Sequence, residues 1–403
     1  MQEIKITRAQ TLKEKPDSST LVFGKSMTDH MFIVDYDAGQ GWHDPRIVPY
    51  APLQIDPAAK VLHYAQEIFE GLKAYRTEDG SIQLFRPLDN VRRMNASAER
   101  MALPQIPEDL ALAGITELVK VEQDWVPHEK DTSLYIRPFM VGLDAALGVH
   151  SSHHCQYIVI VCPVGAYYPE GLDPVKIYVE DQDVRAVKGG TGTAKTGGNY
   201  AASLRAGDRA EAQGYSQVLW LDGVHRKYIE EVGSMNVMFK VAGKILTPDL
   251  NGSVLDGITR RSCIQLLKDW GYEVEERRIS AEELFEAADK TYVAGLRLGL
   301  VTNTEDSTGE VLETRPVSVT QAQLQQALDA LVGEQLQVPP MYSAIKIGGK
   351  KLYELARAGK EAERPARKIT IFETALLDFT GEHATFRVRC SKGTYVRTLC
   401  HDI

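Results

Sequence analysis

The chain has 403 residues, with 46 Lys and Arg against 55 Asp and Glu for a net charge of −9, a length that excludes a single small module and implies two or three domains. Its 43% hydrophobic and 25% charged residues, with 32 Gly and 18 Pro, sit at the soluble globular average and exclude disordered, collagen-like and coiled-coil chains. No run of about 18 apolar residues occurs, and MQEIKITRAQ lacks the basic-then-apolar order of a signal peptide, so a cytoplasmic protein with no membrane segment is expected.

Along the chain, MFIVDYD reads as a strand and LDNVRRMNASAERM as a helix with Asp89 placed to cap its start. PEDLALAGITELVKVEQDW follows as a helix, SLYIRP and QYIVIVCPV as strands, and GGNYAASLRAGDRAEA as a helix entered through glycines. QVLWLDG reads as a buried strand, TRRSCIQLLKDWG as a helix closed by Gly271, SAEELFEAAD as a helix with a Ser280/Glu283 capping box, and TYVAGLRLGL as a strand. This alternation predicts a mixed α/β (α+β) fold. The cysteines Cys155, Cys162, Cys263, Cys390 and Cys400 are odd in number and include no C-x-x-C pair, which predicts buried thiols in a reducing compartment. His153, His154 and Cys155 do not suggest a metal site, because adjacent side chains of a strand point to opposite faces, and no metal is expected.

The densest glycine segment, KGGTGTAKTGGNY, lies within one residue of the phosphate-binding pattern G-x-x-x-x-G-K-S/T, and VLWLD ending in Asp222 resembles a magnesium-holding strand. Two features argue against that reading. Ala194 stands where the loop needs Gly, and Gly197-Gly198 falls where the helix should begin. A single Lys in a glycine-lined turn has a second use, since its amine can bond covalently to a carbonyl cofactor whose flat ring lies against bare backbone. Lys195 is that amine.

The motifs GWHDPRIVPY, HYAQEIFEGLKAY, LFRPLDNVRRM, LYIRPFM, CPVGAYY, GTAKTGGNYAASL and IEEVGSMNVMF, in this order, closely resemble the branched-chain amino acid aminotransferases, pyridoxal phosphate enzymes of fold type IV. The resemblance covers residues 1 to about 289. It implies a small domain over 1–168, a pyridoxal 5′-phosphate-binding large domain over 169–289 that is cut short, and transamination of leucine, isoleucine and valine with 2-oxoglutarate. It further implies that Lys195 bonds to the cofactor and shuttles a proton, Tyr200 hydrogen-bonds the ring O3′, Glu231 pairs with the pyridine nitrogen, and Arg93 binds the phosphate with backbone amides of Ile258 and Thr259. Tyr64, Phe69, Tyr135, Arg137 and Tyr167 would line the substrate pocket. The family is usually dimeric, so a homodimer is expected.

From Lys290 onward the segments KTYVAGLRLG, TNTEDSTGEV, VPPMYSAIKIGGKKLYELARAG and CSKGTYVRTLCHDI resemble instead the bacterial tRNA pseudouridine synthase that acts on the T-loop. This implies a partial α+β segment over 290–403. By that resemblance Tyr292 would stack on the target base, Arg397 would pair with the catalytic Asp, and SAIKIGGKKLYELAR would contact tRNA. The nucleophilic Asp of that family belongs upstream of the KTY strand, where this chain carries aminotransferase-like sequence. Where the aminotransferases place a phosphate-holding Gly-Thr-Ala turn, the register here gives Gly295, Leu296 and Arg297. From Lys290 there are 15 Lys and Arg against 13 Asp and Glu, little electrostatic support for RNA binding on its own. Three readings compete: an aminotransferase, a tRNA-binding or tRNA-modifying protein, and a non-functional fusion of the two.

Overall fold

The computed structural model describes residues 2–165, 174–287, 289–343, 346–347, 350–357 and 362–403. Two compact units divide the chain, Met1–Ala281 and Glu282–Ile403.

The first unit begins with an eight-stranded sheet whose longest members are His30–Asp37, Gly41–Pro49, Ser133–Gly142 and His154–Val164. These strands are Val-, Ile- and aromatic-rich, and their alternate residues close a core with the helices Pro87–Arg100 and Glu108–Val121. Gly114 is where the second helix comes closest: a Cβ there would lie 2.5 Å from the Phe32 ring. The first helix is not capped by Asp89 as its sequence suggests. Its N-cap is Arg86, in the left-handed region at φ 50°, with Pro87 at the first helical position. Asp89 sits in the first turn instead, where its charge favours the helix dipole and accepts from Arg86 Nε at 2.6 Å.

Two three-stranded sheets complete this unit. In one, Gln217–Leu221 pairs parallel with Ile177–Glu180 and antiparallel with Ile229–Val232. The helix Gly197–Glu211 lays Ala206 and Ala210 on Val218 and Trp220 of that sheet. In the other, Lys244–Thr247 crosses over through the helix Ile258–Asp269 to the parallel strand Val274–Glu276. That helix ends as read from sequence, with Gly271 at φ 82°.

The second unit is a four-stranded antiparallel sheet ordered Lys290–Arg297, His383–Cys390, Arg367–Phe379 and Gly333–Gln337. Helix Gln321–Ala330 opens with a Thr320/Gln323 capping box and packs Leu324 and Leu328 into a core with Ile369, Phe386 and Val388. Gly295, Leu296 and Arg297 are registered against Thr385, Ala384 and His383, so the segment that occupies the place of the Gly-Thr-Ala turn is strand within this sheet. The thiols are less uniformly buried than expected, since Cys263 and Cys400 are only partly covered. Among the described residues no helix is long and apolar enough to cross a membrane.

Candidate active site

The Lys195 turn is held by neighbours distant in sequence. Its backbone N donates to Ser97 Oγ at 3.0 Å, and its carbonyl accepts from Phe69 N at 2.9 Å. The helix starts at Gly197, two residues past the lysine, and Glu67 accepts from the Gly197 N–H at the positive end of its dipole. A phosphate-binding loop needs that end free and the lysine inside it, so the P-loop reading fails on geometry. Asp222 does not hold a metal either, because its carboxylate accepts from the backbone N–H groups of His225, Lys227 and Tyr228 and so organises the following turn.

Lys195 Nζ donates to Tyr200 Oη at 2.7 Å and lies 4.6 Å from the centre of the Phe69 ring. Burial pushes its pKa down to about 8; the charges of Arg93 and Arg137 push the same way, and those of Glu70 and Glu231 oppose them. The four groups named in that balance lie in motifs far apart in sequence, and the fold gathers them around one amine. Among the described residues no carboxylate ion-pairs with Lys195.

A cavity of about 500 Å³ opens beside the amine, lined by Phe69, Tyr135, Arg137, Lys195 and Tyr200 together with Phe23 and Lys73. Arg137 lies against the Phe69 ring at 4.6 Å and donates through Nη2 to Tyr135 Oη at 2.9 Å, which fixes its fork at the wall. A smaller adjoining cavity shares Tyr200 and Ser234 with the first and is lined by Glu231 and Arg185.

Glu230 and Glu231 are neighbours in one strand, and the pleat separates them. Glu230 accepts from Asn251 Nδ2 at 3.0 Å and from Ser253 Oγ. Glu231 pairs with Arg185 at 2.8 Å and accepts from Asn236 Nδ2 at 2.9 Å, and burial raises its pKa against the pull of Arg185. Gly257 makes room for this clamp, since a Cβ there would lie 1.9 Å from Asn236 Oδ1.

Arg93 is held bidentate by Glu70, at 2.7 and 2.8 Å, and donates through Nη1 to the Asp256 carbonyl at 3.2 Å. That contact sets its guanidinium beside the start of the Ile258–Asp269 helix, where Ile258 is buried and Thr259 exposed. Tyr64 does not line the cavity. Its hydroxyl donates to the Leu147 carbonyl on an exposed surface. Tyr167 lies outside the described residues. In the second unit Tyr292 is exposed, while Arg397 Nη1 pairs with Asp306 Oδ2 at 2.8 Å and Thr398 donates to Glu305 Oε2 at 2.6 Å.

Sequence reasoning missed Glu70, Arg185, Asn236, Phe23 and Lys73. Glu70 and Lys73 lie inside HYAQEIFEGLKAY and Asn236 inside IEEVGSMNVMF, so their places in those motifs were a usable signal; Arg185 is remote in sequence from its partner Glu231 and carried none.

Residues 67–298 match the amino-transferase class IV family, and residues 277–396 match the TruB family pseudouridylate synthase N-terminal domain. The chain is 56% identical over 286 residues to branched-chain-amino-acid aminotransferase 2 of Bacillus subtilis (strain 168), covering 71% of this chain and 79% of that one. It is 57% identical over 290 residues to the probable branched-chain-amino-acid aminotransferase of Staphylococcus aureus (strain N315), covering 72% and 81%. Among solved structures it resembles the Escherichia coli branched-chain amino acid aminotransferase, with TM-score 0.55, 27% identity, and 64% of this chain and 80% of that chain covered. It also resembles the branched-chain aminotransferase of the archaeon Thermoproteus uzoniensis with norvaline, with TM-score 0.55, 25% identity, and coverage of 64% and 82%. Over most of its length the chain therefore belongs to the class IV aminotransferases, in their branched-chain amino acid group, and a segment of TruB type follows.

Proposed function

We propose that the first unit transaminates leucine, isoleucine and valine with 2-oxoglutarate, using pyridoxal 5′-phosphate. The observation that carries this is Lys195, a buried amine with no ion-paired carboxylate among the described residues, beside a 500 Å³ cavity of aromatic walls with the Arg137 guanidinium set into them. The donor set fits the cofactor: a carboxylate clamped by Arg185 and Asn236 for a ring nitrogen, a phenol on the lysine, and Arg93 next to a helix start for a phosphate.

When bound, the cofactor supplies a carbonyl for the lysine and an electron-withdrawing ring. The chain supplies the rest. Lys195 Nζ, poised near neutrality, would move the proton between the amino acid Cα and the bound cofactor. Glu231 keeps the ring nitrogen protonated, and its buried pair with Arg185 holds the carboxylate in place while solvent is excluded. Tyr200 orients the amine and serves the ring oxygen. Arg93, with the backbone amides of Ile258 and Thr259, anchors the phosphate. Phe69 and Tyr135 accept the branched side chain, and Arg137 accepts the distal carboxylate of 2-oxoglutarate in the same cavity.

Measuring 2-oxoglutarate-dependent leucine deamination tests this. Activity should vanish in Lys195→Ala and fall by about two orders of magnitude or more in Glu231→Gln, whose neutral amide no longer favours the ring cation. Full activity in Lys195→Ala sinks the reading.

The position of Tyr64 supports a homodimer. Its helix and the loop it bonds present Leu62, Leu147 and Val149 to solvent, Val149 at 84% exposure. A second copy would cover Leu62, Leu147 and Val149, leaving the His150 and His153 rings outside the contact, and bring Tyr64 to its neighbour's substrate pocket. Introducing charge by Leu147→Asp with Val149→Asp should give monomers by sedimentation, with loss of turnover; a dimer undisturbed by both changes contradicts it.

A further inference from the structure

We propose that Asp144, His150 and His153 form a binding site for a divalent transition-metal ion of the imidazole-preferring kind, copper(II), nickel(II) or zinc(II). The three side chains lie on the connection between the strands Ser133–Gly142 and His154–Val164, and each offers one ligand atom within 4.8 Å of the others. The imidazoles are exposed and face one another, with centroids 5.8 Å apart and planes inclined by 26°.

His150 is oriented by its Nδ1, which lies 2.9 Å from the Ser151 carbonyl oxygen; that oxygen can only accept, so Nδ1 donates and Nε2 is the nitrogen left for a metal. The platform beneath is rigid. Ser152, between the two histidines, is buried and donates to Gln66 Oε1 through Oγ at 2.8 Å and through its backbone N at 3.2 Å. Asp144 accepts from the backbone N of His153 at 3.0 Å and of His154 at 2.7 Å. Lys60, with its side chain fully buried, donates to the Gly148 carbonyl at 2.5 Å. Only the exposed rings are left to swing, and tetrahedral ligation at about 2.0–2.1 Å asks them to draw in by roughly 1 Å.

The choice of metal follows from the ligand set. The Asp144 carboxylate is already engaged by the backbone N–H groups of His153 and His154. One carboxylate so engaged does not hold magnesium or calcium, which want several oxygens, and the two imidazoles then select the metal. His154 is not part of the set, since its ring turns to Asp37 at 3.1 Å.

Equilibrium dialysis of the untagged full chain against copper, nickel, zinc and magnesium chlorides tests the site, with bound metal counted by atomic emission. We expect one equivalent of zinc per chain and none of magnesium. In His150→Gln/His153→Gln the zinc affinity should fall at least about a hundredfold. Both rings are exposed, so circular dichroism and melting of the double variant should match wild type. The His43→Gln variant, which breaks a separate Asp35/His43/Asp44 cluster, should bind zinc normally. Equal affinity in wild type and the double variant, or loss in His43→Gln alone, overturns the proposal.

Discussion

Lys195 differs from an ordinary surface lysine in what surrounds its amine. Burial and two guanidinium groups lower its pKa to about 8, so the unprotonated fraction climbs between about pH 7 and 9 rather than above pH 10. Brief exposure to pyridoxal 5′-phosphate at each pH, followed by borohydride and peptide mapping, should therefore label Lys195 increasingly to about pH 9 and then level off. Labelling that keeps rising past pH 10, or that falls consistently on another lysine, contradicts the assignment. The glutamate pair shows how far local sequence reaches: EE marks two acids at a strand end, and only the folded strand gives one to Arg185 and the other to Asn251 and Ser253. Arg185 was illegible for a related reason. It is one member of a buried ion pair whose partner, Glu231, lies in a distant motif, and no periodicity encodes such a pairing.

Most helices and strands were legible, because period 3.6 and period 2 patterns record which face is buried. The helix ending at Gly271 and the helix opening at Gly197 came directly from local chemistry. The Asp89 cap did not, because proline set the start of that helix earlier and left the carboxylate inside the first turn. Strand lengths were also underestimated: SLYIRP is the start of a ten-residue strand, Ser133–Gly142, whose later half pairs with Glu67–Phe69. Packing between elements makes a sharper claim. Gly114→Ala should force a methyl into the Phe32 ring and destabilise the first unit by about 1–3 kcal/mol, the range for overpacking. Urea or thermal melting of the variant measures this. Unchanged stability would show that the Glu108–Val121 helix is free to shift away from the sheet.

The chain as a whole carries two kinds of sequence in two compact units. In the second, Arg397 pairs with Asp306 in the turn after the first strands, and aminotransferase-like sequence occupies the upstream place from which that family's nucleophile would come. We therefore expect no tritium release from tRNA carrying tritium at uridine C5. Release above a protein-free control, abolished by Arg397→Ala, would show that an acid elsewhere had been recruited. Sequence by itself determined the change of family near residue 290, the covalent role expected of Lys195 and the α/β alternation. These are properties of contiguous residues, in which motif, cap and hydrophobic period are all written locally. Only the tertiary structure decided that Glu70 seats Arg93, that Arg185 clamps Glu231, that Tyr64 faces outward and that His150 meets His153 and Asp144. Each of those depends on distances between residues that the chain's local pattern does not encode, and such distances are set by how sheets, helices and their connections pack.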